Sequence, residues 1–403
     1  MCQQQIVEIR MYHKRLIKKY SILAGVLGLS IMLAACGKKD EEMVEEPAGD
    51  ELEVTVVGPT TTTAGEAGAA GNEPGSKHTD GPPVYEDDEE PVPGCYRSEL
   101  TNEWIDQAIQ NQRPIAVMVD NEITALPHYG TAQADIVYEM MNSTANGRIT
   151  RFMCLYKDWG NVDRIGSIRS TRTTNLQIAP EYNAVVCHDG GPFYIDMFLK
   201  NPYVDNFSGG FARIDNGKSR EFTEYITKGE VQKRFDGNKM STEYNKYYQG
   251  GQHFQFASRA NPISLDGVSG AIDCTLIELP YEHNHSKLTY VPETGKYRYS
   301  EYGKEYKDAA SGSYMEFENV IIQECKHEQL DKNGYMNFFV KQSSGMSGYY
   351  CTGGKAIPLT WAKQDDIYPT KFYGPDGQEI RVNTGKTYIT LCPADNWSAL
   401  KIQ

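Results

Sequence analysis

Ile22 to Ala35 is an uncharged, largely apolar run of 14 residues, preceded by Lys14, Arg15, Lys18 and Lys19 and ending at Leu33-Ala34-Ala35-Cys36. A cationic stretch, a short apolar stretch and small residues at the exit make an export signal. The run falls short of the roughly 20 residues that a stable membrane-crossing helix needs, so this helix is not the expected permanent anchor. Met11 offers an alternative start, because residues 1–10 carry Glu8, an odd charge ahead of such a signal. Folding is therefore confined to the chain beyond residue 36.

Leu33-Ala34-Ala35-Cys36-Gly37 resembles the lipobox of bacterial lipoproteins. That resemblance implies that Cys36 is diacylated at sulfur, becomes the new N-terminus and holds the chain to the membrane. Residues 37–98 read as an acidic, disordered tether. Its charge is dense at Asp40–Glu46 and Glu86–Glu90, around a Thr/Gly/Ala/Pro stretch, and residues 37–95 carry a net −13 of the chain's −14. Like charges and scarce apolar residues leave nothing to bury, so the segment should stay extended. The folded part is only mildly acidic and shows no basic face, which makes nucleic acid a poor partner. A hydrophobic fraction of 39% and 27 Tyr supply ordinary cores, too little for a multi-span membrane protein.

From residue 99 to about 270 the pattern is that of an α/β (α+β) domain with a mixed sheet and flanking helices. Pro114–Asp120, Asp135–Glu139, Ile149–Tyr156 and Asn183–His188 are apolar runs of strand length. Ser170–Ala179, stopped by Pro180, Phe193–Leu199 and Glu221–Phe235 read as helices. Near-continuous apolar strands imply a sheet covered on both faces. From 271 to 403 short aromatic and β-branched strands alternate with turn signals such as Asp331-Lys-Asn-Gly334 and Pro375-Asp-Gly377, which predicts an antiparallel β domain. Seven cysteines beyond Cys36 show no C-x-x-C spacing, so neither a disulfide scaffold nor a zinc ribbon is expected.

Those stretches resemble the YerB-like lipoprotein family, whose paired N- and C-terminal domains are of the DUF3048 type, of unknown function. The resemblance rests on Arg113–Asn121, Ala134–Glu139, Arg148–Phe152, Arg164–Arg172 and His188–Gly191, and in the second domain on Phe317–Gln323, Pro358–Lys363 and Asn383–Tyr388. Two departures stand out: Ser167 where the family usually has Pro, and Phe222-Thr223 where a His-Asn pair is expected. The resemblance implies a lipid-anchored, extracytoplasmic protein and brings no established reaction.

Asp120, Asn121, Glu139, Arg151, Arg169, Ser170, Arg172, His188 and Asp189 are the candidate ligand-binding residues. Arg169 and Arg172 flank a helix start expected at Ser170 or Thr171, where cations oppose the helix dipole. A bound anion would resolve that conflict, and so would an internal carboxylate from Asp120, Asp135, Glu139 or Asp189. His188 ends a strand, where α/β sheets often bind ligands, and could serve as an acid or base. No nucleophile elbow, H-E-x-x-H, P-loop or dinucleotide fingerprint is present, and His283-Asn-His285 has no located third ligand, so no metal and no cofactor are expected. The preferred function is binding of an anionic envelope ligand, a cell-wall component or an envelope protein. The rivals are a hydrolase or transferase acting on an envelope polymer, with His188 as acid/base beside Asp120 or Glu139, and a purely protein-binding module.

Overall fold

The computed structural model describes residues 92–403 except residue 252. The export signal, Cys36 and most of the tether lie outside the described residues. Eleven strands form one large sheet: β1 (Ile115–Asp120), β2 (Ile136–Met141), β3 (Thr150–Tyr156), β4 (Val185–His188), β5 (Asp205–Ser208), β6 (Ile272–Asp273), β7 (Asn319–Cys325), β8 (Gln342–Thr352), β9 (Lys355–Lys363), β10 (Lys371–Tyr373) and β11 (Thr387–Pro393). Their order is β6-β9-β8-β7-β11-β2-β3-β1-β4-β5, with β10 beside β9.

The fold is the expected mixed sheet with flanking helices, followed by antiparallel β structure. The large sheet takes strands from both sides of residue 270. β11 lies parallel to β7 on one side and to β2 on the other, pairing Thr387 with Ile136 and Leu391 with Met140. All six residues of β1 and of β2 are buried, as strands covered on both faces must be. Successive side chains point to opposite faces. Val117, Val137, Phe152 and Tyr388 face Val231, Phe235 and a five-stranded antiparallel sheet that contributes Ile277, Leu288 and Tyr297. Met118, Tyr138, Met153 and Ile389 face Leu176, Phe254, Met336 and Phe372. Peripheral strands alternate instead: Lys296–Ser300 buries every second residue and leaves the others in partial contact with water.

Two helix expectations need correction. Helix α1 spans Thr173–Ile178 with Arg172 at its N-cap, rather than starting at Ser170 or Thr171. The backbone before it is already committed to extended pairing, since Arg169 N donates to Met118 O and Thr171 N to Gly190 O. The predicted Glu221–Phe235 helix is a short 3-10 turn, a strand at Glu224–Thr227 and helix α3 at Glu230–Gly237, with α2 (Asp196–Leu199) preceding them. Tyr225-Ile226-Thr227 favours extended backbone and pairs with Arg164–Gly166. Gly229, at φ 78°, then turns the chain into α3. No helix among the described residues is long and apolar enough to cross a membrane.

Candidate functional site

Asp120 closes β1 and Arg151 stands opposite it on β3. Both point to the face that carries Met118 and Met153. The segment after Gly166 runs alongside, with Asp120 N donating to Ser167 O, and delivers Arg169. Arg169 forms ion pairs with Asp120 at 2.9 Å and Glu221 at 3.0 Å. Arg151 donates from Nη1 to Ser170 O at 2.9 Å and approaches Asp120 only to 4.0 Å, while its buried Nε has no hydrogen-bond partner. Burial first, then the charge of Arg172, pulls the Arg151 guanidinium down to about 9, with Asp120 opposing and Arg169 adding to the fall. Arg172 donates to the carbonyls of Asn142 and Thr171 and lies 5.1 Å over the Tyr335 ring. The Ser170 hydroxyl donates to Asp189 O. Three guanidiniums thus lie close together, and Arg169, 28% exposed, brings the group to the surface. α1, at six residues, does not direct a helix N-terminus into the group: the Arg172 N–H is taken by Asn175 Oδ1.

His188 lies beside this cluster but is closed to chemistry. Its Nδ1 is 2.6 Å from Gly190 O and its Nε2 2.9 Å from the Asn206 amide, which defines a neutral ring with its proton on Nδ1. Burial lowers its pKa further. Neither Asp120 nor Glu139 is among its hydrogen-bond partners, so the acid/base arrangement expected from the sequence does not form. Asp189 turns outward to Arg213 at 3.2 Å, and Arg213 also pairs with Glu224 at 2.6 Å. Burial, reinforced by Asp189, pushes Glu224 up to about 7. Arg213, Glu221 and Glu224 carry no motif, and sequence reasoning missed them.

Asn121 and Glu139 belong to the opposite face, one strand step away. Glu139 is fully buried, and its Oε1 accepts from Ser286 and Thr150 at 2.6 Å each and from Asn121 and Tyr299 at 3.2 Å each. Its Oε2 accepts from Tyr388. Burial raises its pKa and these donors oppose the rise. Nearby, Glu301 and His128 are buried together at 3.9 Å, and His128 also bonds Asp120 O. Glu139 therefore does not pair with the arginines. Asp135 does not either: it accepts from Lys157 N at 2.6 Å, and burial pushes it up to about 7. In the His283–His285 turn the inward residue is Asn284, which donates to Asn121 O and accepts from Thr150 N. No group of three or more metal-ligating side chains occurs among the described residues.

Residues 100–241 match the N-terminal domain and residues 277–389 the C-terminal domain of DUF3048, described as a protein of unknown function, and together they take in more than half of the chain. The "Putative lipoprotein YerB" of Bacillus subtilis (strain 168) is 26% identical over 309 residues, which is 74% of this chain and 86% of that protein. A crystal structure of the YerB protein from Bacillus subtilis superposes with a TM-score of 0.62 at 22% identity, over 76% of this chain and 99% of that one, and shows the same fold.

Proposed function

The chain belongs to the DUF3048 family, and from that premise we propose that it is a lipoprotein, anchored through Cys36 on the extracytoplasmic face, that binds an anionic envelope ligand with Arg151, Arg169 and Arg172. The name of its Bacillus relative supports the anchor, as does the Leu-Ala-Ala-Cys exit of the export signal. One observation carries the binding reading: Arg151 sits beside two other guanidiniums, and burial and their repulsion weaken its hold on its proton. A phosphate or carboxylate binding at the cluster relieves that repulsion and accepts charge-assisted hydrogen bonds. Catalysis by His188 draws no support from a ring whose two nitrogens are both engaged.

Thermal unfolding of the exported chain carrying Cys36→Ser, with phosphate, wall-polymer fragments and muropeptides added in turn, tests the binding half. An anion held at 100 times its Kd stabilises the fold by about 2.7 kcal/mol. The shift is expected to vanish in Arg151→Gln/Arg172→Gln, with urea unfolding checking that this variant still folds. No shift with any anion would sink the reading. Fatty-acid labelling of the native chain, lost in Cys36→Ser, tests the anchor.

A further inference from the structure

Beside the arginine cluster the surface turns apolar. Phe193 and Met197, 72% and 68% exposed, stand four residues apart on the short helical segment 193–199, whose Ile195 is buried. Aromatic contacts connect this ridge to the cluster. Phe193 lies 4.0 Å from the Tyr194 ring, Tyr194 meets Tyr335 edge-on at 6.5 Å, and Tyr335 lies beneath Arg172. The Tyr194 hydroxyl donates to Leu330 O at 3.3 Å.

The ridge is also fixed in position. Thr171 N donates to Gly190 O, and Gly191 packs closely on this segment, since a Cβ there would lie 2.4 Å from Ile195 Cδ1 and 3.2 Å from Thr171 O. Asp196, between the two exposed residues, would repel an anion from the ridge and leave the arginine end as the place for negative charge.

We propose that the ligand is an amphiphilic phosphate, a phosphate ester bearing a hydrocarbon chain, with its headgroup among Arg151, Arg169 and Arg172 and its chain along Tyr335, Tyr194, Phe193 and Met197. The proposal rests on the preceding reading of the cluster and adds the apolar half of the ligand. A cationic cluster linked by ring contacts to exposed ring and thioether surface complements such a molecule at both ends. A protein tethered at a membrane surface works where amphiphilic phosphates are concentrated.

The test is a calorimetric titration of the exported chain carrying Cys36→Ser with inorganic phosphate, with decyl phosphate below its micellar concentration, and with neutral decyl maltoside. Each methylene removed from water strengthens binding about fourfold, so three or four of them give decyl phosphate an advantage on the order of 100-fold over phosphate. Phe193→Ser/Met197→Ser should erase that advantage and leave phosphate binding intact. Arg151→Gln/Arg172→Gln should weaken both phosphates. Equal affinities for phosphate and decyl phosphate would overturn this inference and leave the anion site standing. Decyl maltoside binding as tightly as decyl phosphate would also overturn it, as mere adsorption. Absence of binding by either phosphate would remove the anion site along with it.

Discussion

Glu139 and Arg151 lie on adjacent strands of one sheet, yet their surroundings follow opposite rules. On one face, Glu139 is sealed and every oxygen is matched to donors from Ser286, Thr150, Asn121, Tyr299 and Tyr388. On the other, Arg151 lies beside two guanidiniums at a partly open surface, where Arg169 pairs with Asp120 and Glu221. Water cannot reach the first cluster, so an unmatched group there costs free energy and the protein itself must complete it. Solvent reaches the second, so its polar groups need not all be matched by the protein. The sealed carboxylate is matched by the protein's own donors, and the arginine side is where the proposed ligand would add the missing acceptors.

The contrast breaks most visibly at Glu139. Replacing it with Leu strands buried hydroxyl and amide donors from both halves of the chain and should cost about 3–5 kcal/mol in urea unfolding. Glu139→Gln, which keeps an acceptor, should cost less. If Glu139→Leu were as stable as the parent, the sealed cluster would not be structural.

Acid sharpens the comparison next. Burial lowers His128 and His253 to about 4, so each folded imidazole binds its proton less readily than in the unfolded chain. Their contribution is held above the unfolded value near 6.5 and lost as pH falls toward 4. Each should account for about 2 kcal/mol of lost stability by pH 5. Asp135, pushed up to about 7, works in the opposite sense, its stabilising proton being lost as pH rises toward 7. Subtracting the pH profile of His128→Gln from that of the parent isolates the imidazole. Identical slopes between pH 6.5 and 4.5 would show that His128 is not held neutral.

On the open face the effects should shift from stability to binding. Arg151→Gln gives up one hydrogen bond to Ser170 O along with a crowded charge, so the net cost in unfolding should stay within about 1 kcal/mol. Anion affinity, read by calorimetry, should fall at least about tenfold, as one lost charge-assisted bond implies. A variant that unfolded readily yet kept its affinity would reverse the assignment of the two faces. The smallest effect belongs to the exposed Arg148–Asp395 pair, 2.8 Å apart and joining the same two halves of the chain as Glu139. Arg148→Ala should change stability by less than about 1 kcal/mol, because water screens what it cannot screen at Glu139.

The central strands were legible because a strand buried on both faces must be an uninterrupted apolar run, as Ile115–Val119 is. Asp120 was one of four carboxylates the sequence offered to Arg169 and Arg172, and strand register decided that it meets Arg169. Asp120 and Asn121 were grouped into one site because they are adjacent in sequence, and the alternation of a strand places them on opposite faces. Glu224–Thr227 was read as helix from local composition, and its pairing with Arg164–Gly166 overrode that preference. Arg213 and Glu224 gave no signal, since an isolated charge in a sequence does not announce its partner.

Local chemistry alone determined the buried strands and carries the expectation of an export signal, a lipidated Cys36 and an acidic tether, because each depends on residues close together along the chain. The tertiary structure decided the rest. It placed β11 beside β2, so that one sheet spans both halves, and that pairing joins residues some 250 positions apart. It also set which carboxylate meets which arginine, because strand register and sheet face bring distant side chains together.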